Sequence, residues 1–273
     1  MFRPGRRLAS VASRVRAMSE TVTLSTDSRG ISRITIARPE RKNAFDAAVI
    51  AELTATVARV DRSARAVVLQ SEGDTFCAGA DVEWMRGMAD YSLDQNIADS
   101  KALAAMFRAL YDLEMPLVAR VQGAAIGGGA GLVAVADIAV ASTEATFAFS
   151  ETRLGILPAV VSPYVVRKIG PARATALFVT GSRIEAKRAH EIGLVERLVE
   201  PSDLDAAVGR VLDAIISGGP KAVNAAKRLV REVEGKRIDE VTDLTIRRIA
   251  EIRVSNEGQE GLRAFLERRD PHW

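Results

Sequence analysis

Between Val121 and Ala136 the chain carries no charged side chain, and four of its twenty glycines fall at Gly127, Gly128, Gly129 and Gly131. A stretch this apolar is expected inside, and glycines this dense belong where the backbone must approach something closely. At 16 residues, broken by glycines, it falls short of the roughly 20 apolar residues of a spanning helix. It therefore predicts buried core and no membrane segment. The ligand is not a phosphate held in the familiar way. The loop G-x-x-x-x-G-K-[ST] needs a lysine and a hydroxyl where Leu132 and Val133 stand, and G-x-G-x-x-G fails at its third glycine.

The rest of the chain sets this segment in an α/β pattern. "TVTLSTDSRGISRITIA" reads as two strands about a turn at Ser28-Arg29-Gly30. Ile50, Leu53, Val57 and Val60 recur at helical spacing. "ARAVVLQSE" and "MPLVARVQG" read as buried strands, and "TFCAGADVEWM" as a loop entering a helix. A polar stretch around 86–95 is expected to be mobile before a helix over about 95–113. The glycine run opens a helix, "DIAVAS" and "TFAFSE" are short strands, and short helices follow Pro158. From Pro201 the chain reads as helical, with Leu204, Val208, Val211 and Ile215 on one face and Ser202 as its N-cap. This predicts repeated β-β-α units over 19–200 and a helical region over 201–273.

Composition excludes several chemistries. One cysteine, Cys77, rules out an internal disulfide, and two histidines, His190 and His272, support neither a His-based metal site nor a Ser-His-Asp triad. The net charge of +3 is misleading, because five arginines and no acid lie in residues 1–18. Without them 33 basic residues face 35 acidic ones, a charge of −2, so the body of the protein is not expected to bind nucleic acid. The basic start resembles a mitochondrial transit peptide, which would place the protein in the matrix. Alternatively Met18 is the natural start, and a bacterial chain of this kind would be cytoplasmic.

"CAGAD" and "GGG" share a logic, since each follows a buried strand and opens a helix. Helix N-termini carry backbone N–H groups without intrahelical partners and a partial positive charge. Two of them facing one point, with only Gly79, Ala80 and Gly128 in the way, would hold a developing oxyanion, although glycines also serve close helix–strand packing.

In order and spacing, "RPERKNAFD", "FCAGADVEWM", "RVQGAAIGGGAGLVAVADIAVAS", "FAFSETRLGILP", "RKIGPARATALFVTG", "AHEIGLVERLV" and "EGLRAFLERRDPHW" resemble the crotonase (enoyl-CoA hydratase/isomerase) superfamily over about 20–273. The resemblance implies a crotonase-like spiral of ββα units with C-terminal helices that build trimers, often paired as hexamers. It implies that the N–H groups of Ala80 and Gly128 hold the thioester oxygen of an acyl-CoA, and that Glu151 is an acid–base group. Arg41, Lys42, Ala44, Ala78, Asp81 and Val82 fall in the segments that run along the CoA. Phe265 matches a position that packs on the adenine, from a neighbouring subunit. No cofactor or metal is implied, since coenzyme A is part of the substrate. Phe147, Phe149, Leu154 and Ile156 would give Glu151 the apolar surroundings that raise a carboxyl pKa.

Many hydratases of this superfamily read G-G-G-x-E, and here Gly131 stands at the second carboxylate. Tyr111, Asp81 or Glu83 could supply a substitute group, and the sequence does not choose among them. "AGADVEWMRGM", "SETRLGILPAVVSPYVVRKIG" and Gly131 together look most like bacterial methylglutaconyl-CoA hydratases of leucine degradation. A distal substrate carboxylate would need a cation, for which Arg153 and Arg86 are candidates. Three readings stand: a hydratase using Glu151, a Δ3,Δ2-enoyl-CoA isomerase or decarboxylase, and a non-catalytic CoA- or RNA-binding protein.

Overall fold

The alternation of β-branched runs with amphipathic helices folds residues 21–273, which this computed structural model describes, into two sheets. The basic segment 1–18, with its transit-peptide reading, lies outside the described residues. The larger sheet begins with the antiparallel hairpin β1 (Val22–Thr26) and β2 (Ile31–Ile36) and continues in parallel through β3 (Ala66–Ser71), β4 (Leu117–Val121), β6 (Ile138–Ser142) and β9 (Arg197–Val199). The smaller sheet holds β5 (Ala125–Ile126), β7 (Thr146–Ala148) and β8 (Arg183–Glu185), in the order β5-β7-β8.

After a large-sheet strand the chain crosses to a short second strand and then enters a helix. β4 leads to β5 and α4 (Gly128–Val135), while β6 leads to β7, a 3-10 turn and α5 (Ser162–Ile169). The earlier repeats have only single bridges as second strands: Phe45 pairs with Ala80 and Cys77 with Ala125, both in parallel. Helix α1 (Ala47–Ala58) follows the first, with Asp46 capping it by accepting from the Val49 N–H at 3.0 Å. Helix α2 (Val82–Met88) and α3 (Leu93–Asp112) follow the second. The ββα spiral expected from the sequence is the observed topology.

Between the sheets lies the main core, built on Phe45, Leu53, Leu69, Phe76, Phe107, Leu132, Phe147 and Phe149 among others. A second core covers the outer face of the large sheet, where Leu204, Val208, Val211 and Leu212 of α8 (Leu204–Ile216) meet Ile31, Val68, Val118 and Val140. Helix α8 therefore packs on the central body as the first α-helix after β9. Ser202 is not the cap of α8: it lies inside a 3-10 turn, Pro201–Asp203, and α8 has no side-chain cap. The stretch 86–95 is the end of α2, a turn and the start of α3, closed by a capping box between Ser92 and Gln95. Its polar composition reflects a solvated helix entrance rather than an unstructured loop.

After α6 (Pro171–Thr180) and α7 (Ala186–Glu191), the chain ends in α9 (Pro220–Val233), α10 (Ile238–Val254) and α11 (Asn256–Glu267). These three bury very little: no residue of α9, Val241 of α10 and Ala264 of α11. Polar ties hold them to one another. The Glu257 carboxylate accepts from the Lys221 and Ala222 N–H groups, and Arg248 pairs with Glu232 at 2.8 Å. Their exposed side includes Ile238, Ile246, Val254, Phe265 and Leu266. None of the helices among the described residues is long and apolar enough to cross a membrane.

Candidate active site

"RPERKNAFD" is stapled to "DTFCAGAD" by a buried amide. Asn43 donates to the carbonyls of Glu72 and Thr75, both at 2.7 Å, and accepts from the Arg38 N–H at 2.9 Å. Backbone bonds extend the staple: Ala78 N–H donates to Lys42, Phe45 N–H to Gly79 and Asp81 N–H to Phe45. Lys42 and Asn43 adopt the left-handed backbone that lets this turn double back. The sequence reading passed over Asn43 and Arg38. Their signal was a polar residue in a segment that runs into a buried Phe, which is distinctive only once both are known to be inside.

The glycine run packs against this assembly. Cys77 and the 124–126 segment exchange backbone bonds, Cys77 N–H to Ala124 O at 3.0 Å and Ile126 N–H to Cys77 O at 2.9 Å. Gly79, at φ +88°, lies so close that a Cβ there would sit 2.8 Å from the Ile126 carbonyl. A Cβ on Gly128 would meet the Phe45 ring at 2.2 Å. Phe45 thus joins the two loops, pairing through its backbone around Ala80 and pressing its ring on Gly128. Both half-buried positions keep a free donor: among the described residues the N–H groups of Ala80 and Gly128 have no protein acceptor. Gly128 opens α4, so its donor also carries the helix-end partial charge.

Glu151 completes the arrangement. Gly127 takes φ +53°, donates its N–H to Ala148 at 2.7 Å, and leaves its missing Cβ position 3.2 Å from Glu151 Oε1. The carboxyl group therefore lies over the residue immediately before Gly128. Its Oε2 is buried without any hydrogen-bond partner, and burial raises its pKa above the ordinary glutamate value, outweighing the hydrogen bond from its own backbone N–H. Glu151 opens a 3-10 turn, Glu151–Leu154, where the sequence suggested the end of a strand; β7 stops at Ala148. Phe147 and Phe149 are buried as expected, but Leu154 and Ile156 face outward, because the turn rotates them off the strand register.

Asp81 lies next to Ala80 and behaves in the opposite way. Burial disfavours its charge. Yet the N–H groups of Glu83 and Trp84, with the guanidinium groups of Arg41 and Arg38, outweigh that and hold it below the usual range. It caps α2 and is not an acid in reserve. Glu83 is exposed and paired with Arg41 at 3.1 Å. Tyr111 is at the other end of α4, under Arg231 at 3.8 Å. None of the three stands in for the second carboxylate through contact with Glu151. The place itself is filled: a Cβ on Gly131 would lie 2.3 Å from Val161 and 3.1 Å from Phe107.

Arg41, Lys42 and Val82 are exposed, Ala44 is buried and Ala78 is half-buried. Arg86 lies exposed at the end of α2. Arg153 extends the other way. Its chain covers Gly181 and its Nε is 3.5 Å from the Thr180 carbonyl, on the β8 side of the small sheet, whereas Glu151 faces the β5 side. Phe265 is 80% exposed on α11, a helix that packs on α9 and α10.

Residues 26–273 match the family model described as enoyl-CoA hydratase/isomerase. The chain belongs to that family. It is 30% identical to the short-chain-enoyl-CoA hydratase of Clostridium acetobutylicum, over 88% of this chain and 92% of the relative. It is also 30% identical to the crotonyl-CoA hydratase of Syntrophomonas wolfei, over 86% and 90% of the two chains. A crystal structure of an enoyl-CoA hydratase from Shewanella pealeana superposes with a TM-score of 0.88 at 37% identity, covering 93% of this chain and 96% of the other. An acyl-CoA substrate and hydratase-type chemistry are the activity this family membership supports, and the non-catalytic reading loses its basis.

Proposed function

We propose that this protein adds water across the double bond of 3-methylglutaconyl-CoA to give 3-hydroxy-3-methylglutaryl-CoA, with Glu151 as its acid–base group. The observation that carries the hydration chemistry is the unpartnered, buried Glu151 Oε2 beside two unpartnered N–H groups, at Ala80 and Gly128. The N–H pair receives the thioester oxygen. As that oxygen gains negative charge the β-carbon becomes electrophilic, and donors fixed before the reaction stabilise the charge without reorganising. Burial raises the Glu151 pKa and so makes its carboxylate a stronger base than an ordinary glutamate, as taking a proton from water and returning it to the α-carbon requires.

The choice of substrate rests on "AGADVEWMRGM", "SETRLGILPAVVSPYVVRKIG" and Gly131, and on the apolar fill of the Gly131 position by Val161 and Phe107. Arg86 is the candidate for the distal carboxylate, since Arg153 is directed to Thr180. Arg41 and Lys42 would meet the CoA phosphates as charge-assisted donors, with no cofactor beyond the CoA that the substrate carries. The exposed apolar side of α10 and α11 supports a trimer or hexamer in which Phe265 of one copy reaches the adenine bound to another.

Purified protein is incubated with 3-methylglutaconyl-CoA, crotonyl-CoA and a 3-enoyl-CoA, and products are followed by mass. The expected result is gain of one water on the first, faster than on the second. Conversion of the 3-enoyl-CoA without mass change, or loss of carbon dioxide from the first, would replace this reading by isomerase or decarboxylase chemistry.

A further inference from the structure

Among the described residues three buried side-chain oxygens have no hydrogen-bond partner: Glu151 Oε2, Gln122 Oε1 and Asp99 Oδ2. A buried polar atom left unpaired costs stability and calls for a reason. Gln122 has a structural one, because its Nε2 ties the carbonyls of Ser71, Gly73 and Thr75 together. Glu151 belongs to the site described above. Asp99 is the other unpaired carboxylate, and nothing so far uses it.

Asp99 precedes Leu103 by four positions, Met106 by seven and Leu110 by eleven. Those spacings place all four on one face of α3. Met106, Phe107 and Leu110 are fully buried, Leu103 is half-buried, and Asp99, half-buried with its Oδ2 covered, is a carboxylate at the outer end of this apolar stripe. One close approach and one shared cavity orient α3 beside α4. The Phe107 ring lies against Gly131, and Tyr111 lines the same cavity as Ala134 and Ala136. Both helices thus run in the same direction. Stepping back from Phe107 to Asp99 covers about 12 Å of helix, whereas α4 has only about 4.5 Å left before Gly128. Measured along α3, Asp99 is therefore past the level of Gly128, toward the end of α4 at which Gly127 and Glu151 lie.

We propose that Asp99 is the second carboxylate of this site and, with Glu151, holds the water that adds to the β-carbon. The role rests on the hydratase reading above. In the step, one O–H bond of the water breaks and its proton goes to Glu151. The oxygen bonds to the β-carbon, and the π electrons move through the α-carbon to the thioester oxygen held at Ala80 and Gly128. The enolate then returns those electrons to the α-carbon, which takes the proton from Glu151. One water is added, and nothing is oxidised or reduced. Asp99 accepts the water's other hydrogen. Held by two carboxylates, the water directs a lone pair at the carbon instead of tumbling. The position that lost its carboxylate at Gly131 is thereby served from α3.

Asp99→Leu and Asp99→Asn separate this role from a structural one. Each variant is assayed for hydration of crotonyl-CoA and 3-methylglutaconyl-CoA, for solvent deuterium exchange at the α-carbon of butyryl-CoA, and for Tm. For Asp99→Leu, kcat for hydration is expected to fall about 100-fold, with KM within about threefold. Deuterium exchange needs only Glu151 and the N–H pair, and should stay within about threefold of wild type. Tm should rise by about 2 °C, because an apolar side chain continues the stripe where an oxygen was unpaired. Asp99→Asn, which keeps an acceptor but no charge, should fall between the two. Wild-type kcat in Asp99→Leu overturns the role alone, as does a fall in Tm with equal losses of hydration and exchange. Failure of the wild-type protein to hydrate either thioester overturns the hydratase reading, and this role with it.

Discussion

The two ends of α4 are built on opposite principles. At its start, two N–H groups and a carboxylate oxygen are left without partners, at Ala80, Gly128 and Glu151. At its end the polar groups are tied off. Lys168 donates to the Ala136 and Asp137 carbonyls at 2.6 and 3.2 Å, and Lys227 pairs with Asp137 at 2.6 Å and donates to Met115 at 2.8 Å. Asp137 also accepts from the Leu117 N–H at 2.7 Å, and Arg231 donates to Tyr111 at 2.6 Å. A cavity of about 450 Å³ lies there, larger than any single side chain, yet its cations are already engaged. Cations at a helix C-terminus are stabilising. Burial pulls the pKa of Lys168 and Lys227 down, opposed by the Asp137 carboxylate. Unsatisfied polar atoms mark the reactive end.

That contrast can be broken by exchanging which property each end controls. Glu151→Gln should lower kcat for hydration by about 1,000-fold while leaving KM nearly unchanged, read by steady-state kinetics. Its Tm should not fall, since the amide is less costly to bury than an unpaired carboxylate. Lys227→Met should do the reverse. Leaving Asp137 and the Met115 carbonyl without their cation should cost about 2–3 kcal/mol in a denaturant titration, with kcat retained in the folded fraction. Loss of kcat in a fully folded Lys227→Met protein would mean that the two ends are coupled.

Smaller effects sharpen the picture. Gly131→Glu, which restores the usual second carboxylate in name, should lower stability by about 1–3 kcal/mol through overpacking against Val161 and Phe107, and should not raise kcat. The smallest effect is the pH dependence. Glu151 has its pKa raised by burial, so the native state holds this proton longer than the unfolded chain does. Its contribution is fully present below the ordinary glutamate range and lost as pH rises through the raised value. The stability of wild type relative to Glu151→Gln should therefore decline across that window in paired urea titrations, and a flat difference would show an unshifted carboxyl. Over the same window hydration should weaken toward acid pH as the base is protonated.

Much of this was legible in the residues themselves. Helical spacing placed α1 and α8, and short apolar runs placed β3 and β4, within a few residues, because an amphipathic helix buries one face and a central parallel strand buries both. The two glycine-bearing loops were recognisable from their order after buried strands. Less could be read where an element is held by a partner rather than by its own pattern. β5 and β8 have two and three residues and no periodicity to display. Asn43 looks like any turn asparagine until the loop it staples is folded over it. Arg153 looked well placed because it is two residues from Glu151, but the 3-10 turn sends the two side chains to opposite sides of β7.

The sequence by itself determined the fold, the family, the two loops and Glu151, since these depend on residue order and on which positions lack a side chain. Tertiary structure alone decided which polar atoms are satisfied. Asp81, Glu83 and Glu151 are carboxylates alike in one dimension. One is an N-cap held ionised, one is a surface partner of Arg41, and one is buried with an oxygen left free. Only folding assigns those surroundings, because desolvation and hydrogen bonding come from residues distant in sequence. It also leaves Asp99, an unremarked residue in a polar stretch, with a buried oxygen that none of the described residues satisfies.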